Sequence, residues 1–135
     1  MNLIKRWRGR QGAARFSWMS MLFQKVNAKT CSASKLLKKP LVTELFNSAA
    51  ISRTWEELDI EAADGRLLRI DRLIETNSEL IILDYKLSIP EEHDERFHDY
   101  VSQLNGYAQA VLNLRQDKPV RKVLISAQGD VQEIS

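Results

Sequence analysis

The chain has 135 residues, which suits one domain with an arm and leaves no room for a motor beside a second module. One cysteine, Cys31, and two histidines, His93 and His98, exclude a disulfide framework, a four-cysteine zinc site and a cysteine-ligated iron–sulfur cluster. The net charge of +2 conceals a division: ten basic and no acidic residues run through Thr43, and ten basic and eighteen acidic residues follow.

A basic block joined to an acidic body suggests a polyanionic partner, nucleic acid being the commonest. Charge alone leaves two other readings open. Arg-rich, acid-poor N-termini also look like organelle targeting peptides. Trp7, Phe16, Trp18, Met19, Leu22 and Phe23 among the charges also suit an amphipathic helix on a membrane surface. No apolar run reaches the ~20 residues that span a bilayer, so a soluble chain is expected. The location expected for it is the cytoplasm, with no membrane partner.

Met19, Leu22, Phe23 and Val26 fall at three-to-four spacing, which predicts a helix over 13–26. Residues 27–34 are small and polar and read as a loop. Pro40 suits a first helical turn, and Leu41, Leu45 and Phe46 continue the period, so a second helix is expected over 40–50. Together these give residues 1–50 as a basic helical arm, with the core over 51–135. The pattern then changes to strands. Residues 55–61 alternate, with Leu58 and Ile60 on one side and Glu57, Asp59 and Glu61 on the other. Asp64-Gly65 signals a two-residue hairpin of type I′, which needs positive φ at both positions. A second strand returns over 66–74, and Thr76-Asn77-Ser78 turns again. Leu80-Ile81-Ile82-Leu83 is apolar on both faces and predicts a buried central strand.

Residues 90–94 form an acidic loop that leads into a helix over 97–114, with Phe97, Val101, Leu104, Ala108, Val111 and Leu112 in one stripe. Asp117-Lys118-Pro119 stops it. Strands follow over 120–125 and 131–134, separated by Gly129-Asp130. The order predicts an α/β fold: a mixed sheet built from an antiparallel three-strand meander, a crossover helix and two further strands, flanked by helices.

One stretch carries chemistry. Asp84 and Lys86 are two apart at the end of the buried third strand, so they share a face. Asp71 lies late in the partner strand, and a hairpin at 76–78 brings it towards Asp84 at one sheet edge. Glu57 lies one strand further out. Three carboxylates and one ammonium are thus expected to converge. Neighbouring carboxylates repel and call for a hard divalent cation such as magnesium, which takes oxygen ligands, activates water and neutralises charge on phosphorus. A lysine beside it can orient or deprotonate the attacking water.

Plainer readings stand beside this. An isolated D-x-K is commonly a surface ion pair. Asp71 lies between Arg69 and Arg72, which suits a salt-bridged surface strand, and Glu56, Glu57, Asp59 and Glu61 suit a solvated acidic face. Burial favours a site for Asp71, Asp84 and Lys86, because an Asp and a Lys ending four apolar residues need each other or a ligand. Gln103 and Tyr107 are four apart beside the helical stripe, with Tyr100 one turn earlier. They can hydrogen-bond phosphates or stack on a base. The alternative for Tyr107 is a boundary tyrosine over the helix–sheet seam.

The segments GRLLRIDRLIE, LIILDYKLS and YVSQLNGYAQAV, in this order, resemble the nuclease domain of the PD-(D/E)xK superfamily, RecB-like branch. The likeness is greatest to the C-terminal end of AddA-type helicase–nuclease subunits, and it runs over 54–135. The resemblance implies a restriction-endonuclease-like sheet and Mg2+-dependent cleavage of DNA, with Mn2+ as a substitute, in double-strand break processing and recombinational repair. Exonuclease action is expected ahead of endonuclease action, and partners in a helicase–nuclease complex are implied with it. It also implies roles by position: Asp71 and Asp84 as metal ligands with the carbonyl of Tyr85, Lys86 as the catalytic lysine, Gln103 and Tyr107 near the DNA strand, and Glu57 as a further acidic ligand. The family's upstream metal-binding histidine has no counterpart, since RGRQGAARFSWMSML contains none. The chain is therefore expected to be the nuclease end of a longer protein, with a non-catalytic DNA-binding or subunit-docking module as the alternative.

Overall fold

The structure, a computed structural model, describes residues 8–11, 45, 46 and 48–135. Six strands form one sheet in chain order: β1 (Arg8–Gln11), β2 (Ile51–Glu61), β3 (Leu67–Thr76), β4 (Leu80–Lys86), β5 (Val120–Ser126) and β6 (Val131–Ile134). Neighbours are antiparallel except β4 and β5, which run parallel because helix α1 (Glu95–Leu114) crosses over between them. This is the expected meander, crossover helix and closing strand pair. The helix expected over 13–26 lies outside the described residues, as does most of the one over 40–50. Strand β1 was not anticipated: it pairs with β2 inside the basic stretch and extends the same sheet.

The sheet is buried on both faces. Against α1 lie Leu58, Ile60, Ile70, Leu73, Leu80, Ile82 and Leu124, with Phe97, Leu104, Ala108 and Val111 of the helix. Behind it, Ile74, Ile81, Leu83, Tyr85, Val123 and Ile125 pack with Leu45 and Phe46. Residues 80–83 therefore divide alternately between two cores, as an apolar run in a parallel-paired central strand should. Leu112 does not join the helical stripe and is 36% exposed. Tyr107, Ala110 and Leu114 take that face instead, since a residue next to Val111 is rotated about 100° away from it.

Helix α1 starts at Asp94, whose carboxylate accepts the Arg96 amide at 2.9 Å, and Asp94's pKa is drawn down to about 2, chiefly by hydrogen bonds from Arg96. The β2–β3 turn differs from type I′. Only Gly65 has positive φ, 88°. Gly65 N–H donates to the Ala62 carbonyl and Ala62 N–H to that of Arg66, so three residues form the loop, with glycine in the left-handed position.

Candidate active site

Strands β2 and β3 both lose their alternation at one place. Trp55 and Leu58 on β2, and Ile70 and Leu73 on β3, are each three residues apart, yet all four lie in the same core. In a regular strand such pairs would face opposite ways. The break falls at Glu56–Glu57 and Asp71–Arg72. Glu57 takes a left-handed φ of 49° there, and opposite it the β1 register also shifts. A non-glycine residue in that region costs about 1–2 kcal/mol, which the surrounding ladders must supply.

The break sends Arg72 and Glu56 behind the sheet. They form an ion pair at 2.6 Å with side chains 2% and 3% exposed, and the guanidinium lies 4.5 Å from the Phe46 ring centroid. Glu56 is therefore not part of a solvated face. Arg69 instead makes a surface pair with Asp59 at 2.8 Å, so the salt-bridged strand exists with other partners than Asp71.

Asp71 is left at the point where β3 and β4 part. Their ladder ends at Arg72 and Leu83. Beyond it the Asp71 carboxylate, not a backbone carbonyl, accepts the Tyr85 amide at 2.9 Å. The N–H and C=O of one strand residue point the same way, so the Tyr85 carbonyl lies along this edge too. Its ring packs behind the sheet, 6.4 Å from that of Phe46, and complete burial raises the phenol's pKa.

Asp84 and Lys86 face α1, on the side of Leu80 and Ile82. Lys86 Nζ lies 2.9 Å from Asp84 Oδ2. It also donates to Gln103 Oε1 at 2.9 Å, and Gln103 Nε2 donates to the Tyr107 hydroxyl at 2.9 Å. The Tyr100 ring centroid is 4.3 Å from the same ammonium. The i, i+4 spacing of Gln103 and Tyr107 thus continues from the sheet edge up the helix. Gln103 is exposed, whereas Tyr107 is buried in the helix–sheet seam with 7% exposure.

The electrostatics show two carboxylates held together. Asp84 is 3% exposed, and burial, then the neighbouring Asp71 charge, push its pKa up to about 6 against the pull of Lys86. Burial and the same two carboxylates push Tyr107 up to about 12. Glu57 does not join them: among the described residues no three His, Cys, Asp or Glu side chains gather as a metal cluster. His93 and His98 are both exposed, the latter edge-on to Phe97. Tyr100 is a further residue at this edge, and its i−3 relation to Gln103 is the signal the sequence holds for it.

Residues 7–133 match the family described as the PD-(D/E)XK nuclease superfamily. A stretch of 57 residues is 40% identical to one subunit of the ATP-dependent helicase/nuclease of Ligilactobacillus salivarius, taking in 42% of this chain and 5% of that protein. The chain therefore corresponds to a small fraction of that relative's length.

Proposed function

The chain belongs to the PD-(D/E)XK nuclease superfamily, and we propose that Asp71, Asp84 and Lys86 form the hydrolytic centre of a Mg2+-dependent deoxyribonuclease. The observation that carries this reading is the meeting of two carboxylates and an ammonium where the β3–β4 ladder ends.

The donor set suits a hard cation. Asp84 Oδ2 is buried and, among the described residues, has no hydrogen-bond donor beyond its ion pair with Lys86. Asp71, Asp84 and the Tyr85 carbonyl are all oxygen donors, which fit magnesium, or manganese in its place. These three would hold the ion, and Glu57 is left out of the set. When bound, such an ion lowers the pKa of a coordinated water and neutralises charge on the scissile phosphate.

The chain's own groups do the rest. Lys86 puts a positive charge beside Asp84, where it orients the attacking water and stabilises negative charge growing on the phosphoryl oxygens. Asp71 fixes the β4 edge by holding the Tyr85 amide. Gln103 holds Lys86 from the helix, and Tyr107 fixes the orientation of the Gln103 amide. Gln103, exposed at the rim, also meets the DNA backbone. The basic residues of 1–43 bind phosphates, a contribution that weakens with salt as counterions compete.

The substrate is linear DNA at double-strand breaks in the cytoplasm, degraded from its ends beside the other parts of a helicase–nuclease. The name of the partial relative supports that context. The test is degradation of linear single- and double-stranded DNA with Mg2+, with EDTA, and by Asp84→Ala and Lys86→Ala. Cleavage that needs the metal and is lost in both variants supports the enzyme. DNA binding without cleavage supports the non-catalytic module, the reading favoured by the missing upstream histidine.

A further inference from the structure

Lys86 ends its strand on a flexible four-carbon stem, and fixing a lysine costs rotamer freedom. Among the described residues three groups hold its ammonium: Asp84 Oδ2 at 2.9 Å, Gln103 Oε1 at 2.9 Å and the Tyr100 ring with its centroid at 4.3 Å. The carboxylate is the strongest tie. It is also the one that would weaken if a divalent cation were held on Asp84, because the carboxylate's charge would then be shared with the cation. Gln103 and the face of Tyr100 remain.

The ring suits that task. Its face attracts an ammonium through the quadrupole, and more so where water is scarce. The Lys86 side chain is 16% exposed. A ring carries no charge, so unlike a carboxylate it does not compete with Asp71 and Asp84 for a cation. It is also anchored: Tyr100 lies one turn after Phe97 and one turn before Leu104 on α1, partly buried against the core.

We infer that Tyr100 is a positioning residue that keeps the Lys86 ammonium at the rim once a cation engages Asp84. The inference rests on the reading of Lys86 as the catalytic lysine.

The test compares Tyr100→Phe, which keeps the π face, with Tyr100→Leu, which keeps apolar volume without it, in the full 135-residue chain. With lysine carrying 13C at its ε carbon incorporated, the Lys86 εCH2 resonance is assigned by its loss in Lys86→Arg. In the wild type and in Tyr100→Phe that resonance should be moved upfield by the ring current and stay so in saturating MgCl2. In Tyr100→Leu it should take the ordinary lysine position. On linear DNA, Tyr100→Leu should lose about tenfold in kcat with KM unchanged, the size expected of a partly desolvated cation–π contact, and Tyr100→Phe at most about twofold. Circular dichroism checks folding, and Tyr100→Met replaces Tyr100→Leu if the latter does not fold. An upfield shift that vanishes with Mg2+, equal kcat in the Leu variant, or a change confined to KM overturns the inference. A wild type that cleaves nothing defeats the nuclease reading, whereas a cleaving wild type with an unaffected Tyr100→Leu defeats only the role given to Tyr100.

Discussion

Replacing Asp84 by Asn should stabilise the metal-free protein at neutral pH. Asp84 is 3% exposed and lies against Asp71, and its pKa stands at about 6 instead of the usual 3.8. That gap already includes the attraction of Lys86. At ~1.4 kcal/mol per pH unit, the folded state carries the Asp84 anion at a cost of about 3 kcal/mol. The sign follows from linkage. The folded state holds the proton more tightly than the unfolded chain, so the wild type loses stability as pH rises from about 4 to about 6 and is level above that. Asn resembles the neutral acid and has no such loss. Urea unfolding in EDTA from pH 4 to pH 7.5 should show little difference at the acid end and a gap of about 3 kcal/mol in favour of Asn at the other. Groups that do not face Asp84 cancel in that difference, whereas Asp71 and Lys86, which do, contribute to it. Adding Mg2+ should raise the wild-type midpoint and leave that of Asp84→Asn in place, since a ligand stabilises only the form that binds it. A variant less stable than wild type at pH 7.5, or a gap that does not vary with pH, would refute the reasoning. Either result would mean that the Lys86 pair outweighs burial and the Asp71 charge.

Three further outcomes follow from other parts of the sheet. Arg72→Met leaves the Glu56 carboxylate buried without its cation and should cost about 3–5 kcal/mol in urea unfolding, with much of the loss recovered in the Glu56→Leu/Arg72→Met double variant. Glu75 is held below the usual carboxylate range because hydrogen bonds from Arg115 and Lys118 outweigh its burial. Its contribution should be present above about pH 4.5, disappear as pH falls through its lowered pKa, and be missing throughout from Glu75→Gln, as read from unfolding midpoints against pH. Gly65→Ala should cost about 1 kcal/mol through its φ of 88° alone, since nothing lies within 4 Å of the added methyl; a thermal melt showing no loss would contradict this.

The fold was legible wherever one face of an element is apolar and its period uninterrupted. Residues 80–83 declared a strand with two cores, and Phe97, Leu104, Ala108 and Val111 declared the helix. Strand β1 was not legible. Four residues reading Arg-Gly-Arg-Gln show no alternation, and an edge strand is settled by the neighbour it pairs with. The turn after β2 misled for a related reason. Asp64-Gly65 suits type I′, but the loop closes over three residues and asks positive φ of glycine alone. Leu112 continues the apolar run one residue past the face that the sheet covers.

The candidate site was legible along the chain and less so across it. Asp84 and Lys86 share a face through strand parity, and Gln103 and Tyr107 through helix parity, so both pairs could be read locally. Asp71 and Glu57 required parity to persist across two strands, and it does not. The break at Glu57 and Asp71 turns Glu56 and Arg72 behind the sheet and frees the Asp71 carboxylate to take the Tyr85 amide in place of a ladder bond. The irregularity that spoiled the expected convergence of three carboxylates is therefore the same one that brings two of them together. A regular β3 would carry its ladder past Arg72, and a backbone carbonyl would occupy the amide that Asp71 now holds. The buried ion pair behind the sheet and the carboxylate pair at its edge are two consequences of one change in strand parity. Disturbing Arg72 should accordingly be felt at Asp84 as well as in the core.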